Sequence, residues 1–290
     1  MHKFIKNLAL IAALLSVAVS ARAANVTVKG SDTLVILAQK WAEVYMSAHP
    51  DVKIQVTGGG SGVGFAALQN QGTDIADASR QIKAREKEAC IKAFGKVPRE
   101  YKVAIDGLSV YVNNANPVKD LTLAQLESIF TGQTRNWKDL GGPDAPITIY
   151  SRENSSGTYE FFKEHVLKGK DFSASAQTMP GTAALLQAIN KDPNGIGYGG
   201  AAYGEGARAL GIKANASSPA ILPTEETVLN QTYPIWRYLY NYVNPALDKD
   251  AIHAYLDWIR SQDGQKIVKE VGYYPLPEAL LSRQGLAAQK

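Results

Sequence analysis

Hydrophobic positions along the chain switch repeatedly between two periods. ANVTVKG, residues 24–30, alternates apolar with polar and predicts a short strand. Leu34, Leu37, Ala38, Trp41, Val44 and Tyr45 then recur at helical spacing as far as His49-Pro50, with Ser31, Asp32 and Thr33 standing where capping side chains belong. The pattern continues with a strand in VKIQVT, the glycine run GGGSGVG and a helical FAALQNQG. TDIADASR reads as a strand running into a loop, KAREKEACIKAF as a surface helix, and VAIDGLSVYVNNANP as strand, then turn.

From Pro117 a second unit begins, with a helix in TLAQLESIF, the turn-rich TGQTRNWKDLGGPDAP and a strand in ITIYS. SRENSSGTYEFF opens a further helix, GTAALLQAINKDPNGIGYGG gives helix, turn and strand, and YPIWRYLYNYVN is strand-like before the C-terminal helices. This alternation predicts an α/β fold with mostly parallel sheets. If the chain leaves the first unit at Val112–Asn114 and returns at Thr232–Trp236, residues 24–112 with 233–290 form one lobe and 113–232 the other. Such discontinuous lobes on a two-strand hinge can open and close.

The ends change the reading of charge. Lys3 and Lys6, the apolar run Leu8–Val19 and the small-x-small step Ala21-Arg22-Ala23 have the form of a secretory signal peptide cut after Ala23. Removing residues 1–23 takes away three basic residues and no acid, so the formal charge falls from +4 to +1. That balance gives no case for a nucleic-acid or membrane-surface binder, and any attraction for anions has to be local. No later stretch approaches the ~20 apolar residues of a membrane span. The only cysteine, Cys90, is too far inside the chain to be a lipid anchor at the new N-terminus and has no disulfide partner. An exported protein of the periplasm is therefore expected, with Cys90 a half-buried helical thiol.

Three segments share one grammar of strand, small residues and a hydroxyl at a helix start: GSDTL with Thr33, GGGSGVG with Ser61, and SRENSSGTYEFF with Ser156, Gly157 and Thr158. Missing side chains let backbone N–H groups approach a ligand, and helix N-termini favour anions. Arg152 adds a guanidinium that can hold an oxyanion through paired donors. GGGSGVG has no Lys-Ser/Thr ending, so it is not a nucleotide phosphate loop. A catalytic serine would need a base, but His49, His165 and His253 all sit at structural positions on helices. His165 is about two turns beyond Thr158. No G-x-S-x-G elbow or metal-type cluster is present in the sequence, and no cofactor is implied.

Taken in order, GSDTL, GGGSGVG, DIADASR, FTGQTRNWKDLGG, SRENSSGTYEFF, GIGYGG and VGYYPLP resemble the phosphate-binding periplasmic proteins of ATP-driven (ABC) importers, over nearly the whole of residues 24–290. The resemblance implies a type II periplasmic binding protein fold with two α/β lobes closing on the anion. It also implies a non-enzymatic, monomeric protein that delivers phosphate to a membrane permease without entering the membrane. The residues matching the family's phosphate site are Thr33 with the Leu34 amide, Ser61, and the R-x-x-x-S-G-T set Arg152, Ser156, Gly157 and Thr158. The family's proton-accepting aspartate falls on Ser79, followed by Arg80, and the acid two residues after the motif arginine is Asn154. Ser79 and Arg80 are therefore counted among the ligand residues, with Arg80 joining Arg152 around the anion; the alternative is that Arg80 pairs with Asp74 or Asp77 while Asp32 or Asp77 turns inward as the acceptor. With that acceptor altered, sulfate or another tetrahedral oxyanion is the alternative ligand, and a secreted phosphatase is the alternative class.

Overall fold

The computed structural model describes residues 24–247 and 249–281. The expected signal peptide lies outside them. The first elements are β1 (Ala24–Gly30), α1 (Val35–Ala48), β2 (Val52–Thr57), α2 (Ser61–Gln69), β3 (Ile75–Ala78), α3 (Ala84–Phe94) and β4 (Arg99–Gly107). The middle of the chain forms β5 (Ser109–Val112), β6 (Asp120–Thr122), α4 (Leu123–Phe130), β7 (Thr148–Arg152) and α5 (Gly157–His165). Then come β8 (Gln177–Met179), α6 (Gly181–Lys191), β9 (Gly195–Gly199), β10 (Arg208–Ala209) and β11 (Gly211–Lys213). The last are α7 (Glu225–Leu229), β12 (Trp236–Val243), α8 (Asp250–Ile259) and α9 (Gln262–Val271).

Two five-stranded sheets, ordered β2-β1-β3-β12-β4 and β10-β5-β9-β7-β8, define two lobes, and β6 pairs with β11 beside the second. The apolar stripe of α1 buries Leu37, Ala38, Trp41, Ala42 and Tyr45 against the first sheet, with Tyr255 and Leu256 of α8 in the same core. In the second lobe Phe130, Phe162 and Tyr198 pack ring on ring, Phe162 and Tyr198 with centroids 4.2 Å apart. Each lobe thus has its own core, as a chain of this length requires.

The sheets are more mixed than the sequence suggests. β12 runs antiparallel to both β3 and β4, and β5 antiparallel to β9 and β10, while β1–β2, β1–β3, β7–β8 and β7–β9 are parallel. β12 enters its sheet from the other lobe and so arrives opposed to strands that start inside it. The change of lobe also falls earlier than Val112–Asn114. VAIDGLSVYV is two strands broken at Leu108, and Ser109–Val112 already pairs in the second sheet. The Leu108 N–H donates to Ile235 O at 2.9 Å, so the outward crossing at Gly107–Ser109 runs beside the returning one just before Trp236.

No helix among the described residues is long and apolar enough to cross a membrane. Cys90 is fully buried on α3, and burial, with Glu86 nearby, pushes its thiol up to about 11.

Candidate functional site

Four hydroxyls from four separate segments meet between the lobes. Thr33 Oγ1 and Thr158 Oγ1 are 2.7 Å apart; Ser79 Oγ lies 3.4 Å from both Thr158 Oγ1 and Ser61 Oγ. All four residues are at most 1 % exposed, and 125 residues of sequence separate Thr33 from Thr158. The Ser79 N–H donates to Ser61 Oγ at 3.0 Å. Gly157 stands against the same group: a Cβ there would meet Ser61 Oγ at 2.3 Å and Ser79 Oγ at 2.7 Å. Only a residue without a side chain lets the start of α5 come this close, with its first N–H groups unclaimed by the helix itself. Gly157→Ala is accordingly expected to remove anion binding while the melting temperature stays near that of the wild type, a pattern that calorimetric titration and thermal unfolding together would show.

The expected residues arrive in different ways. Ser156 caps α5, accepting the Tyr159 N–H at 3.2 Å. Ser31, Asp32 and Thr33 do not cap α1, whose first flanking residue is Leu34, with no side-chain cap. Asp32 accepts the Gly59 N–H at 2.8 Å, and Thr33 turns to Thr158 instead. The Leu34 N–H, read as a donor to the ligand, closes a turn to Ser31 O at 3.0 Å.

Arg152 is almost fully buried beside Asp32. Its Nη2 donates to Asp32 Oδ2 at 2.7 Å, Nη1 to Thr182 Oγ1 at 2.8 Å and Nε to Glu153 Oε2 at 3.1 Å. The first bond joins the lobes, as do Gly62 N–H to Ser155 O at 2.9 Å and Lys83 to Glu160 at 2.6 Å.

Arg80 takes another course. Its two terminal nitrogens hold both Glu86 oxygens at 2.7 Å, over the Phe65 ring. Glu86 also accepts the Lys83 N–H at the start of α3, so the guanidinium is drawn along the lobe-one surface and does not join the hydroxyls. Asp77 is no acceptor at the cluster either. Its carboxyl is buried in lobe one, takes a hydrogen bond from Asn241, and burial raises it to about 7.

The second guanidinium at the cluster is Arg237, which the sequence reading passed over. Nη2 donates to Thr158 Oγ1 and Nη1 to Ser79 O, both at 3.0 Å, and Asp106 Oδ2 accepts from Nη2 at 2.8 Å and Nε at 3.0 Å. A lone cation in the apolar run YPIWRYLYNYV and a lone acid in VAIDGLSV were the available signals, because buried charges require partners. The arrangement offers buried hydroxyl and guanidinium donors to an acceptor-rich ligand. Among the described residues no group of three or more His, Cys, Asp or Glu could hold a metal.

Residues 16–263 match the family model of the PBP superfamily domain, so the chain belongs to that superfamily of two-lobed binding proteins. Phosphate-binding protein PstS of Pseudomonas aeruginosa is 34 % identical over 269 residues, covering 87 % of this chain and 83 % of that protein. SphX of Synechococcus elongatus is 34 % identical over 270 residues, covering 89 % and 79 %. A substrate-binding protein from Clostridium perfringens, crystallised with bound phosphate, superposes with a TM-score of 0.80 at 31 % identity, over 87 % of this chain and 100 % of that one. Within the superfamily the chain is a member of the PstS family of phosphate-binding proteins.

Proposed function

We propose that the protein binds inorganic phosphate in the periplasm, after export by its signal peptide, and hands it to the permease of an ABC importer without chemical change. The observation that carries this is the buried group of Thr33, Ser61, Ser79 and Thr158 Oγ atoms, supplied by both lobes, with Arg237 bonded to Thr158 and Arg152 bonded to Asp32, the neighbour of Thr33 in the chain. Small hydroxyls and helix-start amides suit a compact tetrahedral oxyanion, and donors on separate lobes are satisfied together only when the lobes meet, so the ligand favours the closed state. Thr33, Ser61, Ser79, Arg152, Ser156, Gly157 and Thr158 are the proposed phosphate residues; Arg80, paired with Glu86, and the Leu34 N–H, bonded to Ser31 O, are left out of the set.

The charge state of the ligand follows from the acceptors. Both Asp32 oxygens are taken, by Gly59 and Arg152, and both Asp106 oxygens, by Ala201 and Arg237. With these carboxylates already held by donors of the protein and Ser79 at the family's acceptor position, no carboxylate of the described cluster is set aside for the proton that phosphate carries near neutral pH. Affinity for phosphate is therefore expected to rise between about pH 6 and pH 8 as the second proton leaves, in the range where phosphate esters titrate, near pKa ~6. Sulfate, which has no proton to place, should compete measurably. Titration calorimetry with phosphate at several pH values, repeated in excess sulfate, tests both. A pH-independent affinity indifferent to sulfate would mean that a carboxylate acceptor is at work.

A further inference from the structure

Arg237 and Asp106 stand where the two crossings between the lobes run side by side. β12 brings Arg237 back into lobe one, and Asp106 is the penultimate residue of β4 before the chain leaves it. Their side chains are 2 % and 0 % exposed. A buried pair of this kind is weak evidence for stability, since desolvation offsets much of the attraction. What the pair touches is more telling. Asp106 Oδ1 accepts the Ala201 N–H from lobe two at 3.0 Å, and the guanidinium reaches Ser79 O in lobe one and Thr158 Oγ1 in lobe two.

A threonine hydroxyl has one proton and two acceptor positions, and it normally rotates to suit its partner. A guanidinium has donors only. Arg237 Nη2 therefore fills one of the two acceptor positions of Thr158 and confines its proton and its remaining acceptor position to the side of Thr33 and Ser79, which biases the hydroxyl toward donating there. The Ser79 N–H restricts Ser61 in the same way.

We propose that Arg237, aligned by Asp106, is a positioning residue that fixes Thr158 as a hydrogen-bond donor to the bound anion and so sets the preference for the ligand's deprotonated form. The inference rests on the phosphate reading above. Because Ser79 and Thr158 come from different lobes, Arg237 makes both bonds only when the lobes are together, which ties the donor setting to closure.

The test is a double-mutant cycle in phosphate affinity, measured by titration calorimetry at pH 6 and pH 8. Asp106→Asn with Arg237→Gln removes the guanidinium yet leaves a neutral pair of similar shape, and Thr158→Val removes the hydroxyl. Each is expected to weaken binding at pH 8 on the order of tenfold. The triple variant should be no weaker than the weaker of the two, because one interaction is lost in both. Without the guanidinium Thr158 can also turn and accept the proton of the monoanion, so the rise in affinity from pH 6 to pH 8 should shrink. Penalties that multiply in the triple variant, or an unchanged pH ratio, would overturn the inference while leaving phosphate binding in place. A wild-type protein that takes up no phosphate in the same titration would remove both. Should the paired variant fail to fold, Arg237→Lys keeps the charge but cannot span Asp106, Ser79 and Thr158 at once. The same smaller pH ratio is then required, and a wild-type ratio overturns the proposal.

Discussion

Arg152→Ala is expected to weaken phosphate binding by a hundredfold or more, with both lobe cores intact. Hydrogen bonds to charged groups contribute on the order of 1.5 to 3 kcal/mol each, and every ~1.4 kcal/mol is a factor of ten in affinity. Losing a paired set from the guanidinium thus costs at least two factors of ten. The structure adds a second contribution, because Arg152 Nη2 joins Asp32 of lobe one at 2.7 Å. Without its partner, the Asp32 carboxylate would face an incoming anion uncompensated and the closed state would lose a bond between the lobes. Arg152→Lys should fall between the two, because a single ammonium cannot serve Asp32, Glu153 and Thr182 together. Calorimetric titration measures the affinity and thermal unfolding the fold. Wild-type affinity in Arg152→Ala would overturn the site assignment.

The second large effect concerns stability and lies away from the hydroxyls. Asp77, on β3 between β1 and β12, is 2 % exposed, and burial raises its carboxyl to about 7, partly opposed by the hydrogen bond from Asn241. In the unfolded chain the group titrates near ~3.9. Between about pH 4 and pH 7 the folded protein consequently holds a proton that the unfolded chain has lost. Stability falls as pH rises through that window and levels off above it. At about 1.4 kcal/mol per pK unit, the three-unit difference costs at most about 4 kcal/mol at pH 8. Asp77→Asn should remove this cost. Asn241 Oδ1 is buried without a hydrogen-bond partner, and an amide at position 77 can donate to it once the two side chains are turned to suit. The variant is expected to melt well above the wild type at pH 8 and close to it at pH 4. An equal shift at both pH values would show that packing, rather than ionisation, is responsible.

The sequence alone determined a good deal. Strand and helix periods, being local, predicted two α/β units, and the helix starts at Ser61 and Gly157 follow from glycine and hydroxyl placement that needs no knowledge of the rest of the chain. The R-x-x-x-S-G-T segment was legible for the same reason: Arg152 at the end of β7 and Ser156 capping α5 are positions within one strand–turn–helix step.

Tertiary structure decided what each polar group is bonded to. Asp32 and Thr33 have the composition of a helix cap, yet Gly59, from the turn after β2, gives Asp32 another partner, and Thr158 gives Thr33 one that exists only after the lobes come together. Arg80 was diverted by Glu86, six residues away, whose place at the start of α3 puts a carboxylate within bidentate reach. Arg237 lies 79 residues from Thr158 and 131 from Asp106, on a strand that returns antiparallel from the other lobe. A sequence shows that such a buried charge needs a partner. Which oxygen satisfies it depends on how strands distant in the chain are laid side by side.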